Sequence, residues 1–326
     1  MKIYLHIGTR KTGTSSIQTM CRTSVEQLNK LGYYWPVALD GQIYPHHEPL
    51  AAWLKKGDFE KVKNEIRLHI EQAQSLNMHS MIFSSEAFCI LSEEHVAQLL
   101  SCFKGHPVTV QLFLRNIYDY ARSDLFQFLK HSHAPRPFSL IIDRIKTGAD
   151  YQALLDQWGG STSKDQISII SYDENRSDIN TAYLRDIGIN RQADIDLFRM
   201  VKANVSLDSS THLLLSGIGF YGANFSAKKT TGPFVGTVAK HKVPHIFIDK
   251  LIDLCLENVN RHYTHPDLVR LQQLLTKPPE QLTAEDLSGE DINKYLRRLA
   301  LFLFCLSWKS TFRLWVKKLA AKLSLN

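Results

Sequence analysis

The chain has 326 residues, which is enough for one large α/β domain or for one domain with a helical insertion. Hydrophobic residues make up 44% of the sequence and charged residues 22%, the composition of an ordinary soluble globular protein. The net charge of +7 belongs to the segment 294–326, which contains basic but no acidic residues, so the near-neutral body gives no reason to expect nucleic-acid binding.

The cysteines lie at positions 21, 89, 102, 255 and 305, with neither C-x-x-C spacing nor a repeated interval. We therefore expect reduced thiols in a reducing compartment and no zinc site. A strand pattern follows Met1 and Lys2 directly, so no signal peptide is expected and a cytoplasmic location is predicted.

Hydrophobic periodicity predicts alternating strands and helices through the first half of the chain. Strands are predicted at 2–7, 80–84, 108–114 and 166–171. Helices are predicted at 15–31, 59–76, 93–103, 118–130, 136–146 and 149–158. Residues 33–50 are expected to be irregular, and the chain after 177 mostly helical. This order predicts an α/β fold, a three-layer α/β/α P-loop-like parallel sheet of four strands with room for a fifth, and a largely helical C-terminal part.

The loop between the first strand and the first helix has the sequence GTRKTGT. Loop amides and a helix N-terminus together bind anions, and Lys11 adds a full positive charge. Gly8 and Gly13 have the spacing of a P-loop, but Thr14 follows where nucleoside-triphosphate P-loops have lysine. The loop is therefore predicted to hold a shorter anion than a triphosphate; the alternative is a glycine-rich turn with an exposed lysine.

A second anion-binding feature follows the strand at 108–114, in the sequence FLRNIYDYARS. Arg115 ends that strand, and Ser123 comes eight residues later in the next helix. Ligands of open parallel sheets bind beyond the carboxyl ends of the strands, so Arg115 is expected to face the same crevice as Lys11. An arginine and a hydroxyl together hold a second phosphate; the alternative for Arg115 is a surface ion pair with Asp119.

At this point the residues resemble a known family. HIGTRKTGTSSIQ is similar to the 5′-phosphosulfate loop of sulfotransferases that depend on 3′-phosphoadenosine-5′-phosphosulfate (PAPS), and FLRNIYDYARS resembles their 3′-phosphate motif. The resemblance covers the chain up to about residue 175 and includes YPHHEPLA and FSSEAF, which recur in bacterial carbohydrate sulfotransferase-like proteins. Arg10 stands where the family usually has proline, and its extra positive charge suits an anion.

The resemblance implies transfer of a sulfuryl group from PAPS to an acceptor hydroxyl or amine, without a metal. Lys11 would meet the bridging oxygen, and Gly13, Thr14 and Ser15, with Thr12 beside them, would cradle the 5′-phosphate. Arg10 is assigned to the same nucleotide site, as are Arg115 and Ser123. Catalysis of this kind rests on positioning and on stabilising the charge that develops on the leaving oxygen.

The acceptor hydroxyl also needs a base. His47 in YPHHEPLA is favoured, because an imidazole titrates near neutral pH, and Glu86 in FSSEAF is the second candidate. A loop histidine that bonds nearby backbone, and a glutamate that caps a loop or pairs with Lys11 or Arg115, are the alternatives. Tyr172, directly after the strand at 166–171, resembles a family position near the nucleotide or is a partly buried aromatic at a strand end. Ser84 and Ser85 are weaker candidates for the nucleotide.

The C-terminal segment 294–326 is predicted to be a basic amphipathic helical tail that follows a sulfotransferase domain at 1–293. Its apolar run 299–308 is too short to span a bilayer. The uninterrupted positive charge favours an interfacial helix on an anionic membrane, at the inner face if the protein is peripheral. Packing of the apolar face on the domain is the alternative.

The predicted function is PAPS-dependent sulfation of a glycan or glycolipid, an acceptor class that comes from the resemblance alone. A nucleotide-dependent kinase is the second enzyme hypothesis, and magnesium dependence with ATP binding would distinguish it. A non-catalytic nucleotide-binding or membrane-associated protein on the same fold is the third. Retention of Lys11, Arg115 and a candidate base argues against this last hypothesis.

Overall fold

A computed structural model of the chain describes residues 1–131, 138–160, 166–198, 252–253, 256–257 and 259–278. The strands are β1 Lys2–His6, β2 Tyr33–Tyr34, β3 Ala38–Leu39, β4 Gln42–Ile43, β5 Ser80–Ser84, β6 Val108–Leu114 and β7 Ile167–Ser171. The first helices are α1 Thr14–Thr23, α2 Val25–Lys30, α3 Glu48–Lys55, α4 Phe59–Ser75 and α5 Glu93–Ser101, with a 3₁₀ helix at Glu86–Ile90. Then come α6 Ile117–His131, α7 Phe138–Ala149, α8 Tyr151–Gly159, α9 Tyr172–Asn175, α10 Ile179–Asp186, α11 Gln192–Ile195 and α12 Pro266–Thr276.

Five strands form one parallel sheet in the order β2-β5-β1-β6-β7, which confirms the predicted α/β class. The central strand β1 pairs with β5 on one side, where His6 lies opposite Ser84, and with β6 on the other, where His6 lies opposite Gln111. The chain therefore places its first loop at the middle of the sheet's carboxyl edge. That edge, where the strand order changes direction, is the usual ligand-binding crevice of such sheets.

Two sequence predictions need correction. The segment 33–50 is not irregular: Tyr33–Tyr34 forms the fifth strand of the sheet, residues 38–43 form a short antiparallel hairpin, and α3 begins at Glu48. The helix predicted at 15–31 is divided into α1 and α2 at Ser24. Thr23 Oγ1 donates to the carbonyl oxygen of Thr19, and side-chain bonds of this kind bend a helix at its end.

Helices cover both faces of the sheet, because successive strand residues point to opposite sides. On one face, Tyr4, Ile82 and Phe113 join a buried cluster with side chains of α1 and α10. On the other face, the ring of Phe83 contacts Phe103, whose centroid lies 5.6 Å away, and α3, α4 and α5 pack against one another. Each fully buried side chain of this size contributes about 1.5–3 kcal/mol to folding.

The chain divides into two compact units. Within the described ranges, the first contains residues 1–120, 147–160, 166–198 and 259–277, and therefore the whole sheet. The second contains residues 121–131, 138–146, 252–253, 256–257 and 278. In it, Asp124 accepts two hydrogen bonds from Arg144 at 2.6 and 2.7 Å. Within the described ranges, no helix is long and apolar enough to cross a bilayer. The predicted tail at 294–326 lies outside the described residues, so its boundary at 293 stays a prediction.

Candidate active site

The loop that follows β1 has a backbone shaped for an anion. Gly8, Lys11 and Gly13 have left-handed φ angles of 40°, 67° and 81°, a feature of loops whose backbone amides bind anions. A left-handed conformation costs a residue with a side chain about 1–2 kcal/mol, so Lys11 keeps it only because the surrounding structure holds the loop. Strained residues of this kind cluster at ligand sites.

Helix α1 begins at the end of this loop without a side-chain cap. Gly13 is its N-cap residue and has no side chain to cap the helix, and the first turn has no acidic residue. The orphan amides of an uncapped first turn, with the positive end of the helix dipole, favour an anion. Ser15 is exposed at this position, whereas Thr12 and Thr14 are buried.

Two buried threonines brace the loop from inside. Thr12 Oγ1 donates to the carbonyl oxygen of Thr9 at 2.6 Å, and Thr9 Oγ1 donates to the carbonyl oxygen of Phe113 on β6 at 2.8 Å. The hydroxyl proton of Thr12 is therefore used within the loop, although it was assigned to the nucleotide cradle. Its contribution to an anion site is to hold the shape of that cradle.

Arg115 binds the loop from the end of β6. Its Nη1 donates to the carbonyl oxygen of Lys11 at 3.2 Å, and its guanidinium carbon lies 5.2 Å from the ring centroid of Tyr172. No carboxylate of a described residue forms an ion pair with it, so the alternative pairing with Asp119 is not formed there. Its buried Nε has no hydrogen-bond partner in the described structure, which leaves donor capacity for a ligand.

Tyr172 joins the site from the end of β7. It is the first residue of α9, and a Cβ placed on Gly13 would lie 3.4 Å from its ring and 3.2 Å from Ile179. Glycine at position 13 therefore allows both the left-handed turn and the close approach of these two side chains. The structure brings Lys11, Gly13, Arg115 and Tyr172 together from three neighbouring strands. Ser123 lies in α6, in the second unit, and its predicted cooperation with Arg115 stays a prediction.

His47, the favoured base, is buried, and both of its ring nitrogens are engaged. Nδ1 accepts from the backbone N–H of Ser84 at 2.9 Å, and Nε2 donates to the carbonyl oxygen of Pro36 at 2.9 Å. Burial lowers the pKa of His47 to about 4, although the two backbone hydrogen bonds partly oppose the shift. The imidazole has no lone pair left for an acceptor hydroxyl in this arrangement, which favours the structural alternative over the base.

A buried polar network beneath the loop connects the segments on which the family resemblance rests. His6 Nδ1 lies 2.8 Å from Ser84 Oγ, which also accepts from Gln18 Nε2 at 3.1 Å. The direction of the His6–Ser84 hydrogen bond depends on the tautomer of the neutral imidazole, whose other nitrogen is Nε2. That nitrogen is buried without a partner in the described structure, and a Cβ on Gly8 would lie 3.3 Å from it. Burial lowers the pKa of His6 to about 3, so the ring is uncharged.

Glu86 follows β5, the strand that pairs with β1. It is half-buried and opens the 3₁₀ helix that follows β5, and Ser85 Oγ caps that helix by accepting from the backbone N–H of Ala87 at 3.1 Å. Because β5 is the direct neighbour of β1, the residues that follow β5 and the loop that follows β1 leave the sheet at the same edge. Ser84 and Ser85 are both buried with their hydroxyls in these internal bonds, so they support the edge of the sheet.

The described residues contain no group of three or more His, Cys, Asp or Glu side chains arranged to hold a metal ion.

A comparison of the structure with solved structures found three similar chains, all at low sequence identity. A sulfotransferase from Alicyclobacillus acidocaldarius is 13% identical with a TM-score of 0.40, over 68% of this chain and 94% of that one. A sulfotransferase domain from the curacin biosynthetic pathway is 10% identical with a TM-score of 0.39, over 86% and 98%. A sulfotransferase domain from the Synechococcus PCC 7002 olefin synthase is 12% identical with a TM-score of 0.34, over 84% and 93%. No protein-family model and no curated protein matches the chain.

Sequence reasoning missed His6 and Gln18 as members of the site. His6 is the last residue of a strand whose other buried residues are hydrophobic. A polar residue at such a position, directly before the loop, is the signal that could have identified it. Gln18 lies on the buried face of α1, where a polar residue also requires a partner. Their common partner, Ser84, is 66 residues from Gln18 along the chain, and no local pattern reveals a contact of that range.

Proposed function

We propose that this protein is a sulfotransferase that moves the sulfuryl group of PAPS to a hydroxyl of a glycan or glycolipid. The observation that carries the proposal is the contact between the two anion-binding segments. Arg115, expected to hold the 3′-phosphate, donates to the backbone of Lys11, expected to act at the 5′-end, at 3.2 Å. A ligand with two separated anionic groups suits one loop and one arginine held together in this way.

The residues of the site fit such a donor. Gly13 leaves room for close approach to the uncapped start of α1, and Tyr172 offers a half-buried aromatic face beside it. PAPS would supply an activated sulfuryl group whose leaving group is a phosphate oxygen. The Lys11 ammonium would stabilise charge on that oxygen, the α1 amides would orient the 5′-phosphate, and Arg10 and Ser15 would add positive charge and a hydroxyl donor around it. Thr14 is buried and its Oγ1 donates to the carbonyl oxygen of Thr9 at 3.5 Å, so it would support the loop from inside.

For the base, the contacts of His47 lead us to favour Glu86. Its carboxylate follows β5, the strand on the opposite side of β1 from Arg115 and Tyr172. With the nucleotide extended towards β6 and β7, the acceptor would approach over β5 and present its hydroxyl to Glu86. His47 would act through Ser84, by fixing the end of β5 from which the 3₁₀ helix starts.

We further propose that the protein is cytoplasmic and that segment 294–326 attaches it to an anionic membrane surface. The support is its charge: the segment has no acidic residue, and each basic residue near such a surface contributes about 1 kcal/mol. A truncation that ends at Trp308 should stay folded and lose co-sedimentation with phosphatidylserine vesicles. An unfolded truncation would show that the segment packs on the domain.

Calorimetry with nucleotides tests the proposed donor. The protein should bind 3′,5′-ADP about tenfold to a hundredfold more tightly than 5′-AMP, because Arg115 would form charge-assisted hydrogen bonds with the additional phosphate. Arg115→Gln should remove this preference, whereas Arg67→Gln, an exposed arginine on α4, should keep it. Equal affinity for the two nucleotides in the parent protein would refute the assignment. Magnesium-dependent ATP binding with phosphoryl transfer would support the kinase hypothesis in its place.

A further inference from the structure

Asn116, the residue directly after Arg115, joins the ends of two helices through its side chain. Its Oδ1 accepts from two backbone N–H groups in the first turn of α6, at 3.0 and 3.4 Å. Its Nδ2 donates to the carbonyl oxygens of Leu274 and Lys277, at 2.8 and 2.9 Å, where α12 ends. One amide group therefore caps the start of α6 and binds backbone carbonyl groups at the end of α12.

The peptide unit between Arg115 and Asn116 is held from both sides. The carbonyl oxygen of Arg115 accepts from Tyr151 Oη at 2.7 Å, and the N–H of Asn116 donates to Asp173 Oδ2 at 2.6 Å. Because both groups belong to one planar unit, the two contacts fix its orientation. Tyr151 is fully buried and Asp173 is half-buried. The backbone from which the Arg115 side chain extends is therefore fixed by side chains of α8 and α9.

Helix α12 is attached to the same neighbourhood at both ends. Gln152, the residue after Tyr151, accepts with Oε1 from the backbone N–H of Thr264 at 2.8 Å and from that of His265, the N-cap of α12, at 3.4 Å. Asn116 binds the other end, and the helix packs against β7 between them. The residues that fix Arg115 and those that fix α12 are thus neighbours in the chain or identical.

We propose that Asn116 is a positioning residue of the donor site, which holds Arg115 towards the 3′-phosphate by fixing its backbone between α6, α9 and α12. This inference rests on the proposed sulfotransferase function for the identity of the bound nucleotide. It makes α12 part of the donor site, although the residues that the Asn116 amide binds lie 158 and 161 positions further along the chain. A fixed backbone matters because a planar guanidinium forms two parallel hydrogen bonds with a phosphate in one orientation only.

The test must separate the bond to α12 from the cap on α6, because a lost cap destabilises any helix. Asn116→Ser does so, since serine caps helices about as well as asparagine but has no amide to donate to α12. Asn116→Asp is unsuitable, because a carboxylate next to Arg115 would weaken anion binding by itself. Asn190→Ser is the matched control: Asn190 is exposed, and its Nδ2 donates to the carbonyl oxygen of Gly188 at 3.4 Å.

Calorimetry on the full chain measures the affinities for 3′,5′-ADP and 5′-AMP. Asn116→Ser should reduce the preference for 3′,5′-ADP by about threefold to tenfold, the size of effect expected for a lost hydrogen bond, and Asn190→Ser should retain it. A double-mutant cycle shows whether Asn116 acts through Arg115. In the Arg115→Gln background, Asn116→Ser should weaken 3′,5′-ADP binding by less than about twofold, whereas independent roles would give the same loss in both backgrounds.

A measurement without nucleotide keeps the inference separate from the donor assignment. The Nε–H resonance of Arg115, identified by its loss in Arg115→Gln, should shift in Asn116→Ser and stay in place in Asn190→Ser. A resonance that does not shift in Asn116→Ser refutes the positioning role, whatever the nucleotides show. If the parent prefers 3′,5′-ADP and Asn116→Ser keeps the whole preference, or loses affinity equally in both backgrounds, the positioning role is refuted and the proposed function stands. If the parent shows no preference, the donor assignment fails, and the resonance alone decides whether Asn116 positions Arg115.

Discussion

The two sides of the loop after β1 are built differently. Towards β6 and β7, the loop is tied by direct polar contacts: Thr9 donates to Phe113, and Arg115 donates to Lys11 and lies near Tyr172. Towards β5, uncharged buried groups hold the edge of the sheet, with His6, Gln18 and His47 converging on Ser84. The β6 and β7 side therefore fixes the shape of the loop through a charged and an aromatic side chain, and the β5 side fixes it through buried neutral polar groups.

The largest effect is expected at Lys11, which lies between the two sides. Lys11→Ala should lower the rate of sulfuryl transfer by about a hundredfold to a thousandfold, because its ammonium is proposed to stabilise charge that appears only as the bond breaks. The affinity for 3′,5′-ADP should fall much less. Single-turnover rates with labelled donor, measured beside calorimetry, separate the two quantities, and Lys104→Ala at an exposed position is the control. A normal rate per bound complex with lost nucleotide binding would contradict this role.

The next largest effect distinguishes Glu86 from His47 on the β5 side. Glu86→Gln should slow the chemical step by about a hundredfold, because the half-buried carboxylate is proposed to act as the base on the acceptor. His47→Gln should instead destabilise the fold by about 1–3 kcal/mol, because it leaves buried backbone groups of Ser84 and Pro36 without good partners.

The two variants are compared by single-turnover rate per folded molecule and by denaturant unfolding. A hundredfold slower chemical step in His47→Gln, at unchanged stability, would restore the histidine as the base. An unaffected rate in Glu86→Gln would remove the glutamate from that role.

Many of the strands and site residues could be predicted from the sequence, and those that could not depend on tertiary contacts. The strand at 108–114, the loop with Lys11, and Arg115 at a strand end follow from local periodicity and from the rule for parallel sheets, and the structure places them together. His47 was assigned from its residue type and its neighbours in sequence, but its partners Pro36 and Ser84 come from tertiary contacts. Tyr33–Tyr34 gives too short a pattern to be recognised as a strand, and it becomes one because β5 offers a parallel partner.

A smaller effect should appear in the pH dependence of stability, to which the buried His47 contributes. Burial lowers the pKa of folded His47 to about 4, below its usual value of about 6.5 in the unfolded chain. The unfolded chain then binds more protons between these values, so stability is complete above pH 6.5 and falls as the pH drops towards 4. The loss for His47 should reach about 2 kcal/mol at pH 5.

Urea unfolding at pH 7.5 and pH 5 measures this contribution. His47→Gln should lower the free energy of unfolding at pH 7.5 and lose about 2 kcal/mol less than the parent on acidification. His262→Gln, at an exposed position, should behave as the parent does. Equal acid sensitivity of the parent and His47→Gln would show that the buried imidazole is not held neutral by the fold.

The smallest effect is expected at Gly13, which lies near Tyr172 and Ile179 on the β6 and β7 side of the loop. Gly13 and Gly41 both have left-handed backbones, with φ of 81° and 72°. A Cβ on Gly13 would lie 3.2–3.4 Å from Ile179 and Tyr172. A Cβ on Gly41 would have none of the described atoms within 4 Å. Alanine at either position should cost about 1–2 kcal/mol of stability, the penalty for a left-handed residue with a side chain. Only Gly13→Ala should also weaken 3′,5′-ADP binding, by about tenfold, because the methyl group displaces the side chains that line the start of α1. Calorimetry and thermal unfolding of both variants separate backbone strain from site geometry. If the two variants lose nucleotide affinity equally, or neither does, the packing of Tyr172 and Ile179 on Gly13 is not part of the nucleotide site.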